Sequence, residues 1–267
     1  GYAEGYNRAL RSVAADYYVL LNSPVEVAPG WMAPIIELME RDPSIAACQP
    51  KVKSFQQREY FEYAGGAGGW IDALGYPFCR GRLFAHIEAD RGQYEQIQEI
   101  FWATGAALFI RARLFHAIGG FDEAYFAHYE EIDLCWRLKR AGYKIMAQPQ
   151  SVVYHVGGTL SYNTPYKTYL NFRNTLYTIL KNEPYQRLFW LLPLRLLLDG
   201  LAAGLFLFQG KLAHIGSILR AHWTFFPKIP SLLRRRRLNE ERIARVSISQ
   251  EANLAGRFNG SIVWQYY

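Results

Sequence analysis

The stretch Tyr17-Tyr18-Val19-Leu20-Leu21-Asn22-Ser23 gives the first indication of the fold of this 267-residue chain. Its first five residues form a continuous apolar and aromatic run, which is typical of a strand buried in a parallel sheet. Polar residues follow at once, and Pro29-Gly30 then opens a segment in which apolar residues have helical spacing. A buried strand followed by a helix predicts an α/β layer structure.

The same alternation continues as far as residue 182. The apolar patterns predict further strands at 45–52, 103–110 and 152–156, and further helices at 111–118, 130–141 and 166–181. Residues 54–99 are rich in glycine, aromatic and charged residues and form a long excursion between two of these strands. Long loops in compact domains commonly cover a binding site, so we expect this segment to shape one.

The composition excludes several classes of protein. Hydrophobic residues make up 51% of the chain and aromatic residues 16%, which is enough to build a sizeable core and excludes general disorder. The chain has three cysteines, Cys48, Cys79 and Cys135, at wide spacings. This odd number excludes a disulfide framework and a cysteine-based zinc knuckle, and it favours a reducing compartment.

The net charge of +7 comes from one part of the chain. Residues 181–245 hold 12 basic and 4 acidic residues, and they contain both the apolar run Leu188–Phe208 and the block Arg234–Arg237. An apolar helix followed by a cationic block predicts contact with a membrane on its cytoplasmic side. A solvated basic face is one alternative. Nucleic-acid binding is disfavoured, because no aromatic-interleaved basic motif accompanies the block.

The apolar run is 21 residues long, which is about the length that a membrane-spanning helix needs. Arg195 and Asp199 lie near its centre and would cost about 2.5–3.5 kcal/mol each in a bilayer. Pro193 is a further handicap. The sequence therefore leaves two alternatives, a spanning helix and a helix that lies in the membrane interface.

The densest acidic cluster is Tyr129-Glu130-Glu131-Ile132-Asp133-Leu134-Cys135-Trp136-Arg137. Carboxylates in the first turn of a helix are stabilised by its unpaired N–H groups and its dipole. We therefore expect Glu130 and Glu131 to stay ionised near neutral pH, as a general base must be. Asp133 and Arg137 have the spacing of an ion pair. An ordinary capped helix start is the alternative.

Two further segments could bind ligands. Asn22, Ser23 and Glu26 follow the strand at 17–21, where parallel α/β sheets bind ligands, and oxygen ligands there would suit Mg²⁺ or Mn²⁺. His155 ends the last predicted strand, precedes Gly157-Gly158, and could bind a metal or a phosphate. A plain turn and a structural histidine are the respective alternatives. Thr104-Gly105-Ala106 opens another strand with small residues.

Taken in order, these motifs resemble the family 2 glycosyltransferases of the rhamnosyltransferase-like branch, which build bacterial cell-surface polysaccharides. The resemblance covers residues 1–182. Its motifs are Gly-Tyr-Ala-Glu-Gly-Tyr-Asn at 1–7, Leu-Leu-Asn-Ser at 20–23, Thr-Gly-Ala at 104–106, Gly-Gly-Phe-Asp-Glu at 119–123, the acidic cluster at 130–137, and His155.

The resemblance implies a GT-A fold, which is a Rossmann-like, mainly parallel sheet flanked by helices. In this chain a C-terminal apolar and basic helical segment would follow it. The family transfers a sugar from a nucleotide-sugar with inversion, using a divalent cation and a carboxylate base.

The resemblance also assigns residues. Glu131 matches the base, with Glu130 as the fallback and Asp133 in the same motif. The expected substrate contacts are Asn7, Asn22, Trp102, Thr104, Gly105, Ala106 and Arg173, and the expected metal or diphosphate contacts are Glu26 and His155.

Two departures from the family pattern matter. Pro24 stands where the family usually has an Asp, so Mg²⁺ or Mn²⁺ would depend on Glu26 or His155, or its binding would be impaired. The chain also opens at Gly1 in the middle of the pattern, without the strand and helix with which the family normally begins. We therefore expect an N-terminally truncated sequence.

Three regions are predicted: a glycosyltransferase domain at 1–182, a membrane-associating helical segment at 183–245, and a tail at 246–267. The leading hypothesis is an enzyme on the cytoplasmic side of the bacterial inner membrane. It would transfer a sugar from a nucleotide-sugar donor to a polysaccharide or lipid-linked glycan acceptor, and it would not bind nucleic acid. The alternative is a catalytically impaired homologue that binds a glycan or a partner protein.

Overall fold

The computed structural model describes residues 1–156 and 164–266. The strands in this part of the chain are Tyr17–Leu21 (β1), Val25–Val27 (β2), Ile45–Ser54 (β3), Gly69–Ile71 (β4), Pro77–Cys79 (β5), Arg82–Leu83 (β6), His86–Ile87 (β7), Gln98–Ile100 (β8), Ala107–Arg111 (β9) and Lys144–His155 (β10). The α-helices are Tyr2–Leu10 (α1), Ala33–Arg41 (α2), Ala112–Ala117 (α3), Glu130–Arg140 (α4), Pro165–Asn182 (α5), Tyr185–Phe208 (α6), Leu212–Phe225 (α7), Ile229–Val246 (α8) and Ile262–Tyr266 (α9).

The predicted α/β class is confirmed, but the central sheet is mixed rather than mainly parallel. Its strand order is β1-β9-β3-β10-β2, and β8 also pairs with β10. Among the described strands only β3 and β10 pair in parallel. Strand β9 lies between β1 and β3 and is antiparallel to both, and β2 and β8 are antiparallel to β10. An apolar run shows that a strand is buried but carries no information about its direction, so the sequence could not reveal this reversal.

Strand β1 differs from its predicted form in a second way. It pairs with one neighbour, β9, and only alternate residues are buried along it: Tyr18 and Leu20 face the core, whereas Val19 is 37% exposed. It is therefore a half-buried edge strand, not a strand covered on both faces.

The excursion at 54–99 contains a small antiparallel sheet of β4 to β7, and side chains from it reach the carboxyl end of the central sheet. The tail returns to this region. The amide of Phe258 donates to the Ile71 carbonyl over 2.8 Å, and the amide of Ile262 donates to the Asp72 carboxylate over 3.0 Å. The excursion and the tail together thus build one wall of a cleft.

Helix α5 ends at Asn182, close to the predicted boundary, and Pro184 precedes α6. Helices α6, α7 and α8 all pack on α5, and α8 also packs on α3 and α4, so the helical segment is attached to the α/β part through several helices. Helix α6 is long and apolar enough to cross a membrane, judged by length and composition alone. Its two central charged residues, Arg195 and Asp199, are 2% and 1% exposed and face inward.

Candidate active site

A cleft of about 590 Å³ lies where β1 and β10 end and α4 begins. Eight of the residues predicted to form the site line it: Asn22, Trp102, Thr104, Gly105, Ala106, Glu130, Glu131 and His155. They come from segments more than one hundred residues apart in the chain. The ends of the strands and the start of the helix bring them together, as the rule for ligand binding in α/β sheets leads one to expect.

Glu131 has the environment of a general base. Burial raises the pKa of its carboxyl to about 6, even though nearby backbone N–H groups, including that of Gly105, oppose the shift. Its Oε2 atom has no hydrogen-bond partner among the described residues. The carboxylate is therefore mostly ionised at pH 7 and can accept a proton from a hydroxyl group in the cleft.

Gly105 and Tyr2 set the space around this carboxylate. The hydroxyl of Tyr2 donates to the Gly105 carbonyl over 2.9 Å. A Cβ atom at position 105 would lie 3.3 Å from that hydroxyl and 3.8 Å from Oε1 of Glu131. The absence of a side chain at Gly105 thus keeps the approach to Glu131 open.

Glu130 differs from the expectation that both glutamates are ionised. It is 5% exposed, and burial together with the charge of Glu131 raises its pKa well above the usual range. Its carboxyl therefore favours the protonated form more than an exposed glutamate does. The favourable field at the start of a helix is smaller than the cost of removing this carboxylate from water.

Asp133, predicted as part of the catalytic group, has a structural position instead. It is fully buried, its carboxylate is 2.9 Å from both Arg137 Nε and Lys181 Nζ, and it does not line the cleft. Burial would raise its pKa, but the charges of Lys181 and Arg137 outweigh that effect and hold the pKa well below its usual range. The expected pairing of Asp133 with Arg137 is present.

The segment before α4 has a constrained backbone. Phe126, His128 and Tyr129 all have φ values between 67° and 74°, in the left-handed region that few bulky residues adopt. Each such residue costs on the order of 1–3 kcal/mol and persists only where its surroundings hold it. The segment leads directly into Glu130 and Glu131, so its conformation fixes where the two carboxyl groups lie.

Arg173 and Asn174 of α5 hold this segment. The side-chain amide of Asn174 donates to the carbonyls of Ala127 over 2.9 Å and of His128 over 2.7 Å. Arg173 donates to the Tyr125 carbonyl over 2.8 Å. Arg173 therefore does not line the cleft as the predicted substrate contact, because its guanidinium is used to support the loop.

Two other predicted contacts also lie outside the cleft. Asn7 binds the backbone of Phe121 and faces a separate cavity of about 360 Å³ beside α8. Glu26, on the antiparallel edge strand β2, pairs with Arg58 at 2.8 Å, and its side chain is 44% exposed. Neither residue lines the cleft that contains Glu131.

His155 lines the cleft and has one carboxylate beside it. Its Nδ1 atom lies 3.3 Å from Oε1 of Glu62, and the two residues are 7% and 3% exposed. Position 24 is adjacent, because the Val156 amide donates to the Pro24 carbonyl over 2.8 Å. The Gly157-Gly158 pair that follows lies outside the described residues. No group of three His, Cys, Asp or Glu residues in the described ranges could hold a metal ion.

Trp102 and Thr104 line the cleft but use their polar atoms for support. Trp102 donates to the Trp70 carbonyl over 2.9 Å, and the Thr104 hydroxyl donates to the Ala64 carbonyl over 2.7 Å. They fix the excursion against the start of β9. The sequence reasoning assigned no role to several other residues that line the cleft: Tyr2, Tyr63, Arg82, His128 and Lys167.

Comparison with known proteins shows which protein family this chain belongs to. Residues 1–174 match the family model described as "Glycosyltransferase like family 2", and the chain belongs to that family. The GT-A type of α/β fold that the resemblance implies is therefore the fold of this chain.

Two curated relatives come from Mycobacterium tuberculosis. A pre-mycofactocin glycosyltransferase is 27% identical over 159 residues, which are 58% of this chain and 30% of the relative. An N-acetylglucosaminyl-diphospho-decaprenol L-rhamnosyltransferase is 25% identical over 143 residues, which are 52% of this chain and 47% of the relative. The match to this chain thus covers less than half the length of either relative.

Among solved structures, GalNAc-T7 with UDP, GalNAc and Mn²⁺ aligns with a TM-score of 0.49 at 14% sequence identity. The alignment covers 67% of this chain and 34% of that one.

Proposed function

We propose that this chain is the catalytic part of an inverting glycosyltransferase, in which Glu131 is the base. The observation that carries the proposal is a partly buried carboxylate with a pKa of about 6, which lines the cleft beside Gly105. Inversion requires a single base that accepts the acceptor's proton as its oxygen attacks the anomeric carbon. Glu130 is less suited to be the base, because burial and the charge of Glu131 raise its pKa well above the usual range.

The donor class is a nucleotide-sugar, and the acceptor is a cell-surface polysaccharide or a lipid-linked glycan. Membership of family 2 supports the donor class. The rhamnosyltransferase relative is named for a diphospho-decaprenol acceptor, which supports a lipid-linked acceptor here. The transferred group would be a hexosyl or rhamnosyl unit.

The acceptor would meet the enzyme at the cytoplasmic side of a bacterial inner membrane. Large apolar side chains are exposed along α6 and α7: Phe189, Trp190, Leu197, Leu201, Leu205, Leu207, Phe208, Leu212, Leu219 and Trp223. We call this set the apolar face. Arg195 and Asp199 point away from it, and Asp199 bonds His222 of α7 over 2.9 Å. A helix bound by its charged side to the protein is suited to lie in the membrane interface, with its apolar side in lipid.

A catalytically impaired homologue is the second candidate, and Pro24 is the observation that favours it. The test is a transfer assay with UDP-, GDP- and dTDP-sugars, using membrane extracts and short diphospholipid glycans as acceptors. The proposed enzyme gives a product whose new linkage has the opposite anomeric configuration to the donor, readable by NMR. Product with retained configuration contradicts an inverting mechanism, and absence of product from every donor favours the impaired homologue.

A further inference from the structure

The end of β10 offers few ligands for a divalent cation. Position 24 lies beside His155, because β2 pairs with β10 so that Val25 is opposite His155. A prolyl ring has no atom that can bind a metal. Glu26, the next acidic residue along the chain, is turned to Arg58. Among the residues that the structure describes, His155 and Glu62 remain, and a site built only from protein ligands would use more than two side chains.

Two cations also line this cleft. Arg82 and Lys167 both line it, and they face one aromatic ring: the Arg82 guanidinium lies 4.0 Å and the Lys167 Nζ atom 5.7 Å from the centre of the Tyr63 ring. They come from the excursion and from α5, so the fold brings them together. Arg82 donates to the Phe84 carbonyl over 3.2 Å, but its buried Nε atom has no hydrogen-bond partner in the described part of the chain.

Lys167 and Asn171 lie one turn apart on α5 and both line the cleft. Burial lowers the pKa of Lys167, the nearby charge of Glu62 raises it, and the charge of Arg82 lowers it. The two cations thus lie close together beside Glu62, where the phosphates of a donor in the cleft would contact both of them.

We propose that Arg82 and Lys167 neutralise the leaving diphosphate of the donor, so that this chain needs no divalent cation for that task. The proposal rests on the proposed function. In the step itself, the bond between the anomeric carbon and the phosphate oxygen breaks and its electron pair stays on the diphosphate. The acceptor oxygen forms the new bond, and its proton passes to Glu131.

The first test is calorimetric titration of the full chain with UDP, GDP and dTDP in turn, in EDTA and in Mn²⁺. We expect at least one diphosphate to bind with the same affinity, within about twofold, in both buffers. Arg82→Gln and Lys167→Gln should each weaken binding at least tenfold. Arg58→Gln, which removes an exposed cation outside the cleft, should not change it. Binding that requires Mn²⁺, absence of binding in both buffers, or unchanged affinity in both cleft variants overturns the proposal.

Pro24→Asp gives a gain-of-function control. An Asp at this position would add a third ligand beside His155 and Glu62, so Mn²⁺ should strengthen diphosphate binding in this variant and not in the wild type. Equal strengthening in both proteins contradicts the proposal.

The transfer assay separates this proposal from the proposed function. Transfer that EDTA abolishes would overturn the cationic site and leave the enzyme assignment intact. Diphosphate binding in EDTA without transfer from any donor would overturn the enzyme assignment and leave the cationic site intact.

Discussion

Three acidic residues lie within the first four positions of one helix, and their surroundings give them three different states. The cations Arg137 and Lys181 lower the pKa of Asp133, burial and the charge of Glu131 raise that of Glu130 well above its usual range, and burial raises that of Glu131 to about 6. The sequence predicted the cluster and its likeness to a base motif. It could not separate the three, because their burial depends on the tertiary fold and Lys181 comes from α5, far away in the chain.

The first residue-scale prediction concerns pH. A base must be deprotonated, so kcat/KM for sugar transfer should rise with pH up to about 6, where Glu131 titrates, and then level off. Initial rates between pH 4.5 and 8.5 measure this. A profile that is flat through pH 6, with the protein folded throughout, would count against Glu131.

The second residue-scale prediction concerns Asp133. Asp133→Asn leaves the buried Arg137 without its anion and removes one of the two carboxylates that pair with Lys181, the other being Asp122. It should lower the free energy of unfolding at pH 7 by about 3–5 kcal/mol. Folding lowers the pKa of Asp133. The ionised carboxylate therefore stabilises the folded protein at pH values above the pKa that Asp133 has in the unfolded chain, and this stabilisation is lost as the pH falls. The stability difference between wild type and variant should therefore shrink below about pH 4. Urea unfolding at both pH values measures it, and equal stability at pH 7 would contradict the structural role.

At the scale of elements, the site depends on how α5 supports the loop that precedes α4. Four carbonyls of that loop, at 124, 125, 127 and 128, accept hydrogen bonds from Arg173 or Asn174. The sequence predicted α5 nearly to its ends and singled out the Arg-Asn pair, but assigned Arg173 to the substrate. A guanidinium suits a diphosphate and a row of carbonyls equally well, so only the packing of α5 could decide between them.

Asn174→Asp tests this support. The substitution keeps the shape of the side chain and removes its N–H donors, so carbonyls in the loop lose their partner. We expect a loss of about 1–3 kcal/mol in stability and a fall in kcat larger than any change in KM, because Glu131 is no longer held in place. Melting temperature and steady-state kinetics check both effects. Wild-type kcat in the variant would show that the loop needs no such support.

At the scale of the whole molecule, the sequence predicted an apolar and basic segment after residue 182, and the structure shows how its charges divide. Arg236 is buried and donates to the Leu180 carbonyl over 2.8 Å, and Arg235 pairs with Asp122 at 2.6 Å. Two of the four consecutive arginines thus bind groups of the α/β part, and one of these two, Arg236, is buried. A run of identical residues along a helix points in all directions, so the sequence could not show which of them face solvent.

We expect the full chain to co-sediment with vesicles that contain anionic lipid, through the apolar face defined above. Replacing Phe189 and Trp223 together by serine should weaken binding at least tenfold, because each large side chain withdrawn from lipid costs about 1.5–3 kcal/mol. Ile97→Ser removes an exposed apolar residue outside α6 and α7 and is the matched control. Equal sedimentation of the double variant and this control would contradict the membrane role.

The central claim is that Glu131 accepts the proton of the acceptor, and the transfer rate of Glu131→Gln tests it most directly. Glu37→Gln, the same change at an exposed position of α2, is the control. We predict that Glu131→Gln lowers kcat at least a hundredfold, as removal of a general base does, while its melting temperature does not fall, since an amide replaces a carboxylate that burial disfavours. A folded Glu131→Gln variant that transfers sugar as fast as Glu37→Gln would contradict the account.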